Sequence, residues 1–249
     1  MQSVAYDLHL HSCLSPCGDM DMTPNNIVNM AMLNELDVIA LTDHNTCKNC
    51  PAILEAAAGG PVLVIPGMEL CTVEEIHVVC LFAALSAAMA FDEYVASRQP
   101  FVANDEAIFG KQAICDGQDN ITGVWDNLLV NASEISIMEI ADLMPQFGGV
   151  AFPAHIDKSA YSVMASLGDI PPECGFTCAE VARPEKLPQL EALSEIIPTL
   201  KILTDSDAHY LWDIGGREHF LHVQEKTAAG VLESLRRGKL ADSCGYTAI

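Results

Sequence analysis

Positive charge is what this chain has least of: 12 Lys and Arg stand against 34 Asp and Glu, for a formal net charge of -22. Such a surface repels a phosphate backbone unless positive charge is supplied locally, so long duplex nucleic acid is excluded as an expected partner. Also missing is any run of about 18 uncharged apolar residues, the length a membrane span needs. The opening residues, MQSVAYDLHLHS, hold neither a basic stretch nor an apolar stretch of signal length. A cytoplasmic protein without a membrane partner is the expectation. No low-complexity run interrupts the 249 residues, and with 16 Gly and 13 Pro the composition argues against disorder, a fibrous repeat or a coiled coil.

What is abundant is apolar material, 50% of the chain, over a length near the upper limit for one hydrophobic core. A single domain spanning 1–249 is expected. The ten cysteines of an unexported chain read as reduced thiols, most of them small core residues, rather than a disulfide framework.

Short apolar runs alternate with helix-length segments. Val4 to Leu10, Val38 to Leu41, Pro61 to Ile65, Ile76 to Phe82, Gly149 to Ala154, Thr177 to Val181 and Leu200 to Leu203 read as strands. Asn25 to Leu36, behind a Thr23-Pro24 start signal, reads as a helix, as do Pro51 to Ala58, Leu85 to Ser97, Ser133 to Met144, Ser159 to Leu167, Pro188 to Ile196 and Ala228 to Arg237. Seven strands alternating with helices imply an α/β fold with a parallel sheet. Right-handed crossovers favour closure into a (β/α)7 barrel, with an open doubly wound sheet as the alternative. Residues 83–146 read as an insertion after the fourth strand.

Six of the eight histidines fall near strand ends. His9 and His11 end the first strand, and His44 follows the second in Leu-Thr-Asp-His-Asn. Glu69 follows the third, His77 begins the fourth and His155 ends the fifth. Asp207 and His209 follow the last. In a parallel barrel these positions converge on one rim. His9-x-His11 on a strand puts both imidazoles on one face, as chelation of a single ion requires, and Asp207-x-His209 repeats the spacing. Imidazole with carboxylate suits zinc, manganese or iron(II) rather than magnesium or calcium. One histidine at a strand end is an ordinary satisfied polar residue. Six of them with carboxylates would be costly to bury without a cation.

These residues resemble the polymerase and histidinol phosphatase (PHP) family of metal-dependent phosphoesterases, through His9-Leu-His11-Ser12, Thr42-Asp43-His44, Glu69, His77, His155 and Asp207-Ala-His209. The resemblance implies a distorted seven-stranded β/α barrel with two or three divalent ions. It suggests one ion at His9, His11, Glu69 and Asp207, a second at Glu69, His77 and His155, and a third at Asp19, His44 and His209. Asp19 is chosen over Asp21 for its five-residue offset before Pro24. The short gap from Glu69 to His77 resembles the branch of small nucleotide phosphatases and 5′ to 3′ exonucleases of short RNA.

On that reading the protein hydrolyses a small phosphomonoester, nucleotide or short oligonucleotide, with Glu69, Asp207 and His209 as the catalytic residues and a hydroxide shared by the ions as nucleophile. Lys158 and Arg183 are the candidate substrate cations. Residues 83–146, which carry no motif of the family, are expected to shape the substrate pocket. Asp43 reads as structural, and His219 and His222 carry no role. Two alternatives remain: a metal-dependent amidohydrolase, disfavoured because no lysine occupies a strand end, and a non-catalytic metal-binding regulatory module. Cys13, Cys17, Cys47 and Cys50 would form a separate zinc or iron–sulfur site if their loops approach one another.

Overall fold

Val38–Leu41 is apolar at every position and buried at every position, the pattern of a strand covered on both faces. It lies near the middle of a six-stranded sheet in a computed structural model that describes residues 1–239. In chain order the strands are β1 (Gln2–Leu10), β2 (Val38–Leu41), β3 (Leu63–Cys71), β4 (His77–Leu81), β5 (Ala113–Cys115), β6 (Ile121–Val124), β7 (Val150–Pro153), β8 (Cys178–Glu180), β9 (Lys201–Leu203) and β10 (Phe220–Val223). The main sheet runs β10-β1-β2-β3-β4-β7, with β8-β9 and the hairpin β5-β6 as separate two-stranded sheets.

β1, β2 and β3 run parallel to one another, as alternation with helices predicts. β4 departs from the expected parallel sheet: it pairs antiparallel with both β3 and β7. The cause is connection length. Residues 72–76 between β3 and β4 are too few for a crossover, which needs a dozen or more, so the chain turns back through Glu75 at a positive φ of 57°. β10 is an antiparallel strand on the edge of β1 that the sequence pattern does not single out.

The edge of β1 is divided between two partners. Residues 2–5 pair with β10, whereas His11 N–H donates to the Ala208 carbonyl and Leu10 bridges Ala208 in parallel. At the other end Ile156 N–H, just beyond β7, donates to the carbonyl of Glu180 in β8. Hydrogen bonds therefore tie β1 to the segment after β9, and the residue after β7 to β8.

Apolar side chains form two large clusters, one on each side of the strands. Along β2, Val38 and Ala40 belong to one cluster, Ile39 and Leu41 to the other, as period-two alternation requires. Helices Pro24–Leu33, Cys50–Ala56, Leu85–Ser97 and Ile140–Phe147 contribute to the larger one. Ala228–Arg237 closes the smaller through Val231, Leu232 and Leu235. Leu85–Ser97 and Ala228–Arg237 have the expected bounds. The expected helices at Ser159–Leu167 and Pro188–Ile196 shrink to Val163–Leu167 and Leu187–Glu191. Within 83–146, Leu85–Ser97 and Ile140–Phe147 pack on the core and the middle carries the β5-β6 hairpin. No helix of the described residues is long and apolar enough to cross a membrane.

Phe91 anchors Leu85–Ser97 to this core, fully buried with the rings of Phe82 and Phe147 each 5.2 Å away. Phe91→Ala should destabilise the fold by about 3–5 kcal/mol, the usual cost of emptying a buried aromatic site, as read by urea denaturation. A loss under about 1 kcal/mol would show that this helix is not held by its apolar face.

Candidate metal centre

Glu69 lies within β3, buried completely, and its carboxylate is encircled. The imidazoles of His9 (3.2 Å), His11 (3.4 Å), His44 (2.9 Å), His77 (2.9 Å) and His155 (3.2 Å) all approach one or other of its oxygens. Four segments deliver them. His9 and His11 come from the end of β1, His44 follows β2 in a bridge to Glu69 itself, His77 opens β4 and His155 follows β7. Asp207 and His209 arrive on the segment after β9, docked to β1 through Ala208. Asp207 Oδ1 lies 3.4 Å from His9 Nε2 and 3.2 Å from His11 Nε2.

Three groups of side chains bring their ligand atoms close enough to hold an ion: His9, His11, Glu69 and Asp207; His44, Glu69 and His77; and His11, His44 and His209. The first contains the same residues as the first set suggested by family resemblance. In the second His44 stands with Glu69 and His77, although His155 also touches Glu69. Asp19 belongs to none of them: its carboxylate accepts from Asp21 N–H at 2.8 Å, in a turn of its own.

The hydrogen bonds around the imidazoles fix where their free nitrogens point. His9 Nδ1 lies 2.7 Å from Glu180 Oε2 and must donate to it. His209 Nδ1 lies 2.8 Å from the Asp207 carbonyl and must also donate. Ser15 Oγ gives its one hydrogen to Asp43 Oδ1 at 2.7 Å, so at 2.9 Å it accepts from His11 Nδ1. With Nδ1 the donor in each, it is Nε2 of all three rings that would offer its lone pair to an ion, the form a metal ligand takes.

His44 Nδ1, Glu69 Oε2 and Asp207 Oδ1 are buried without a hydrogen-bond partner. His44 Nδ1 and Glu69 Oε2 are only 2.9 Å apart, so they converge without bonding each other. Buried polar atoms left in this way are costly, and a cation between them removes the cost. The donor set fits divalent metal.

Charge is distributed accordingly. Burial opposes ionisation of Glu69, but His77, His9 and His44 hold its carboxyl well below the usual carboxylate range. Burial disfavours the charged form of His9, yet Glu180, Glu69 and Asp207 outweigh it and raise its affinity for a proton. His11 is lowered by burial and by the neighbouring His209 and His44. Burial likewise works against the Cys17 thiolate, but its hydrogen bonds with His209 and His44 bring the thiol down to about 6.

Lys158 reaches the rim and ion-pairs with Asp207 Oδ2. Arg183 does not join it; its guanidinium lies 3.3 Å from Asp157 and is half exposed. The cleft over the cluster has a volume of about 200 Å³ and includes Tyr161, which stacks on His77 at 4.7 Å, and none of its lining residues comes from 83–146. That segment instead buttresses the loops behind the site: Ala113 N–H donates to the Cys13 carbonyl and Asn45 Nδ2 to the Leu129 carbonyl.

The four cysteines do not gather. Cys13 faces Cys115 at 3.5 Å, Cys47 and Cys50 point at the Gly67 carbonyl, and Cys17 is exposed. Glu180 and Ser15 carry no sequence signal, since neither lies in a spacing pattern of its own. Asp43, read as structural, accepts from Ser12 N–H, Ser12 Oγ and Ser15 Oγ, and so supports His11 through Ser15.

The PHP domain model matches residues 7–97. A 5′-3′ exoribonuclease Rnm of Salmonella typhimurium is 28% identical over 178 residues, covering 69% of this chain and 58% of that protein. The Escherichia coli 5′-3′ exoribonuclease Rnm is 39% identical over 84 residues, 32% of this chain and 28% of its own. Among solved structures, a lesion-specific endonuclease from Pyrococcus furiosus matches 94% of this chain and 56% of its own with a TM-score of 0.69 at 17% identity, a likeness of fold. The chain thus spans less than two thirds of the length of these relatives.

Glu180→Ala should leave the fold intact while freeing His9 to rotate. Loss of such a supporting hydrogen bond typically weakens metal binding about 10- to 100-fold, measurable by competition of zinc or manganese with a chromophoric chelator. An unchanged affinity would mean that the His9–Glu180 contact does not orient a ligand.

Proposed function

We propose, on the premise that this chain carries a PHP domain, that it is a metal-dependent hydrolase of phosphate esters. Its substrate in this reading is a small phosphomonoester, a nucleotide or the end of a short oligonucleotide. The observation that carries the proposal is the buried Glu69 carboxylate with five imidazoles within 3.4 Å. Such a donor set suits zinc, manganese or iron(II).

His9, His11, Glu69 and Asp207 would hold one ion, and Glu69 with His77 and His44 or His155 a second. Bound there, such ions supply a Lewis acid for the phosphoryl oxygens and acidify water to near neutrality. The chain's own groups do the rest. Glu69 and Asp207 anchor the floor of the cleft, and His209 is held in one tautomer by the Asp207 carbonyl. Lys158 Nζ, a donor at the rim, neutralises charge on a phosphoryl oxygen. These three groups, Glu69, Asp207 and His209, are the catalytic residues of this reading, and Lys158 is the substrate contact. Arg183 is committed to Asp157 and does not line the cleft.

A short substrate is favoured by two features. The cleft is about 200 Å³, room for a phosphoryl group and part of its ester. The net charge of -22 opposes a long polyanion. The curated relatives are named exoribonucleases, which supports a nucleotide or short RNA end over an unrelated ester. The strands β1, β2, β3, β4, β7, β8 and β9 form, in this reading, one distorted seven-stranded barrel within a single domain, interrupted by 83–146.

Purified protein loaded with manganese or zinc should hydrolyse an aryl phosphate, an aryl phosphodiester or a 3′,5′-bisphosphorylated nucleoside, and lose that activity on chelation or in His9→Ala. Cleavage of an N-acyl amino acid alone would favour the amidohydrolase alternative, and metal uptake without turnover the regulatory module. Lys158→Ala should lower kcat/KM roughly tenfold through KM, since a charge-assisted hydrogen bond is worth about 1.5–3 kcal/mol and this one sits at a wet rim.

A further inference from the structure

Nine residues line the cleft over the cluster, and six of them belong to the ring of imidazoles and carboxylates already described. The other three are Lys158, Ala160 and Tyr161, all on the segment between His155 and the helix at Val163–Leu167. Contact with the part of a substrate that is not its phosphate therefore falls to this segment. Its three side chains divide by chemistry into a cation, a methyl group that leaves room, and a phenol ring. Lys158 is paired with Asp207 and serves the phosphoryl group. Tyr161 has no such duty.

Tyr161 is 49% exposed, although its ring stacks on that of His77 with centroids 4.7 Å apart and planes inclined by 25°. His77 covers one face of the phenol and leaves the other open. A single exposed aromatic is ordinary, but this one is held where it is at a cost. Its backbone has a φ of 54°, a left-handed conformation that a bulky side chain rarely adopts. The segment is fixed around it: Lys158 N–H donates to the His155 carbonyl, His77 N–H to the Tyr161 carbonyl at 3.0 Å, and Ser162 Oγ to the Lys158 carbonyl at 2.7 Å. A strained, clamped turn thus presents a flat ring, already oriented, beside the opening of the cleft.

We propose that the open face of Tyr161 is a stacking platform for the base of a nucleotide whose phosphate lies in the cleft. The inference rests on the phosphoesterase reading and narrows its substrate class. A cleft of about 200 Å³ holds a phosphoryl group and the start of its ester, so the rest of a nucleotide lies over the rim, where the ring is. Every base has a π-face to offer it, whatever the pattern of donors and acceptors on its edge. Outside the metal cluster, the polar side-chain groups lining the cleft among the described residues are the Lys158 ammonium and the Tyr161 hydroxyl. Two groups, one of them committed to the phosphate, are too few to read the edge of a base. The site therefore accepts nucleotides as a class, with little preference among the bases.

The test compares nucleoside 5′-monophosphates with ribose 5-phosphate, which keeps the sugar and phosphate but has no base, on protein loaded with manganese. Affinity is read by calorimetry, and as KM where the ester is turned over. The nucleotides should bind roughly 5- to 100-fold more tightly than the sugar phosphate, the worth of stacking one base, and should differ among themselves by less than about tenfold. Tyr161→Phe should keep that ratio. Tyr161→Asn, whose side chain tolerates the left-handed backbone and so preserves the turn, should bring it near one by raising KM rather than lowering kcat. A ratio near one in the unaltered protein, a ratio that survives Tyr161→Asn, stronger discrimination among bases, or no binding of the nucleotides overturns the proposal. Hydrolysis of phosphate esters is scored separately. The expected ratio without turnover of any ester would retire the phosphoesterase reading and leave the Tyr161 assignment standing, whereas turnover with a ratio near one would do the reverse.

Discussion

A carboxylate with no exposure to water, ringed by imidazoles, sets the terms for the rest of this molecule. Glu69 is one of the most expensive side chains in the chain to bury, since an ionised group away from water is tolerated only when paired. Its partners come from strands far apart in sequence, so the compensation exists only when the sheet has formed and its loops have docked. The backbone carries strain at the same place. Asn45, His155 and Asp207 all have positive φ, at 51°, 31° and 52°, a region that non-glycine residues avoid. Each is clamped nearby: Asn45 N–H donates to the Glu69 carbonyl, Ile156 N–H to the Glu180 carbonyl, and His209 Nδ1 to the Asp207 carbonyl.

A second layer gives these rings their orientation. Glu180 holds His9 through one carboxylate oxygen and accepts from His155 N–H through the other, at 3.3 Å. Asp43 does similar work from the opposite side, through Ser15 to His11 and through Ser12 to the start of the first loop. Both carboxylates are fully or almost fully buried. Their effect is to choose a tautomer: with Nδ1–H committed outward, Nε2 of His9 and His11 faces Glu69 and Asp207. The geometry of the centre is therefore decided by residues that would not touch an ion at all.

Much of this was legible in the sequence because two periodicities survive there. Apolar runs marked the strands that frame the centre, and Leu85–Ser97 and Ala228–Arg237 had clear helical bounds. The histidines stood out because strand ends are where a parallel sheet presents its chemistry. What did not show were features decided by tertiary contact. Lys201–Leu203 and Cys178–Glu180 are too short to declare their pairing. β10 alternates exposed and buried residues over only four positions, and the direction of β4 follows from loop length rather than strand composition. The five-residue offset before Pro24 points to Asp19. Counting cannot detect that the Asp19 carboxylate closes a turn of its own by accepting from Asp21 N–H. Glu180 escaped for a related reason, since a lone acid in Cys-Ala-Glu has no partner until β8 lies beside β7.

The acidity of the chain then acquires a physical meaning. Excess negative charge over the whole surface opposes the approach of any phosphate, and the rim offers little to counter it: Lys158 is already paired with Asp207 and Arg183 with Asp157. Attraction for an anion must come from the floor of the cleft, where bound cations would outweigh the few carboxylates that hold them. Affinity for substrate and affinity for metal are on this argument coupled, because the field that draws the anion exists only when the ions are in place. The same field is short-ranged in salt, falling off over about 8–10 Å. It reaches across a narrow cleft but not along an extended strand, which is the physical ground for the compact substrate of the proposed function.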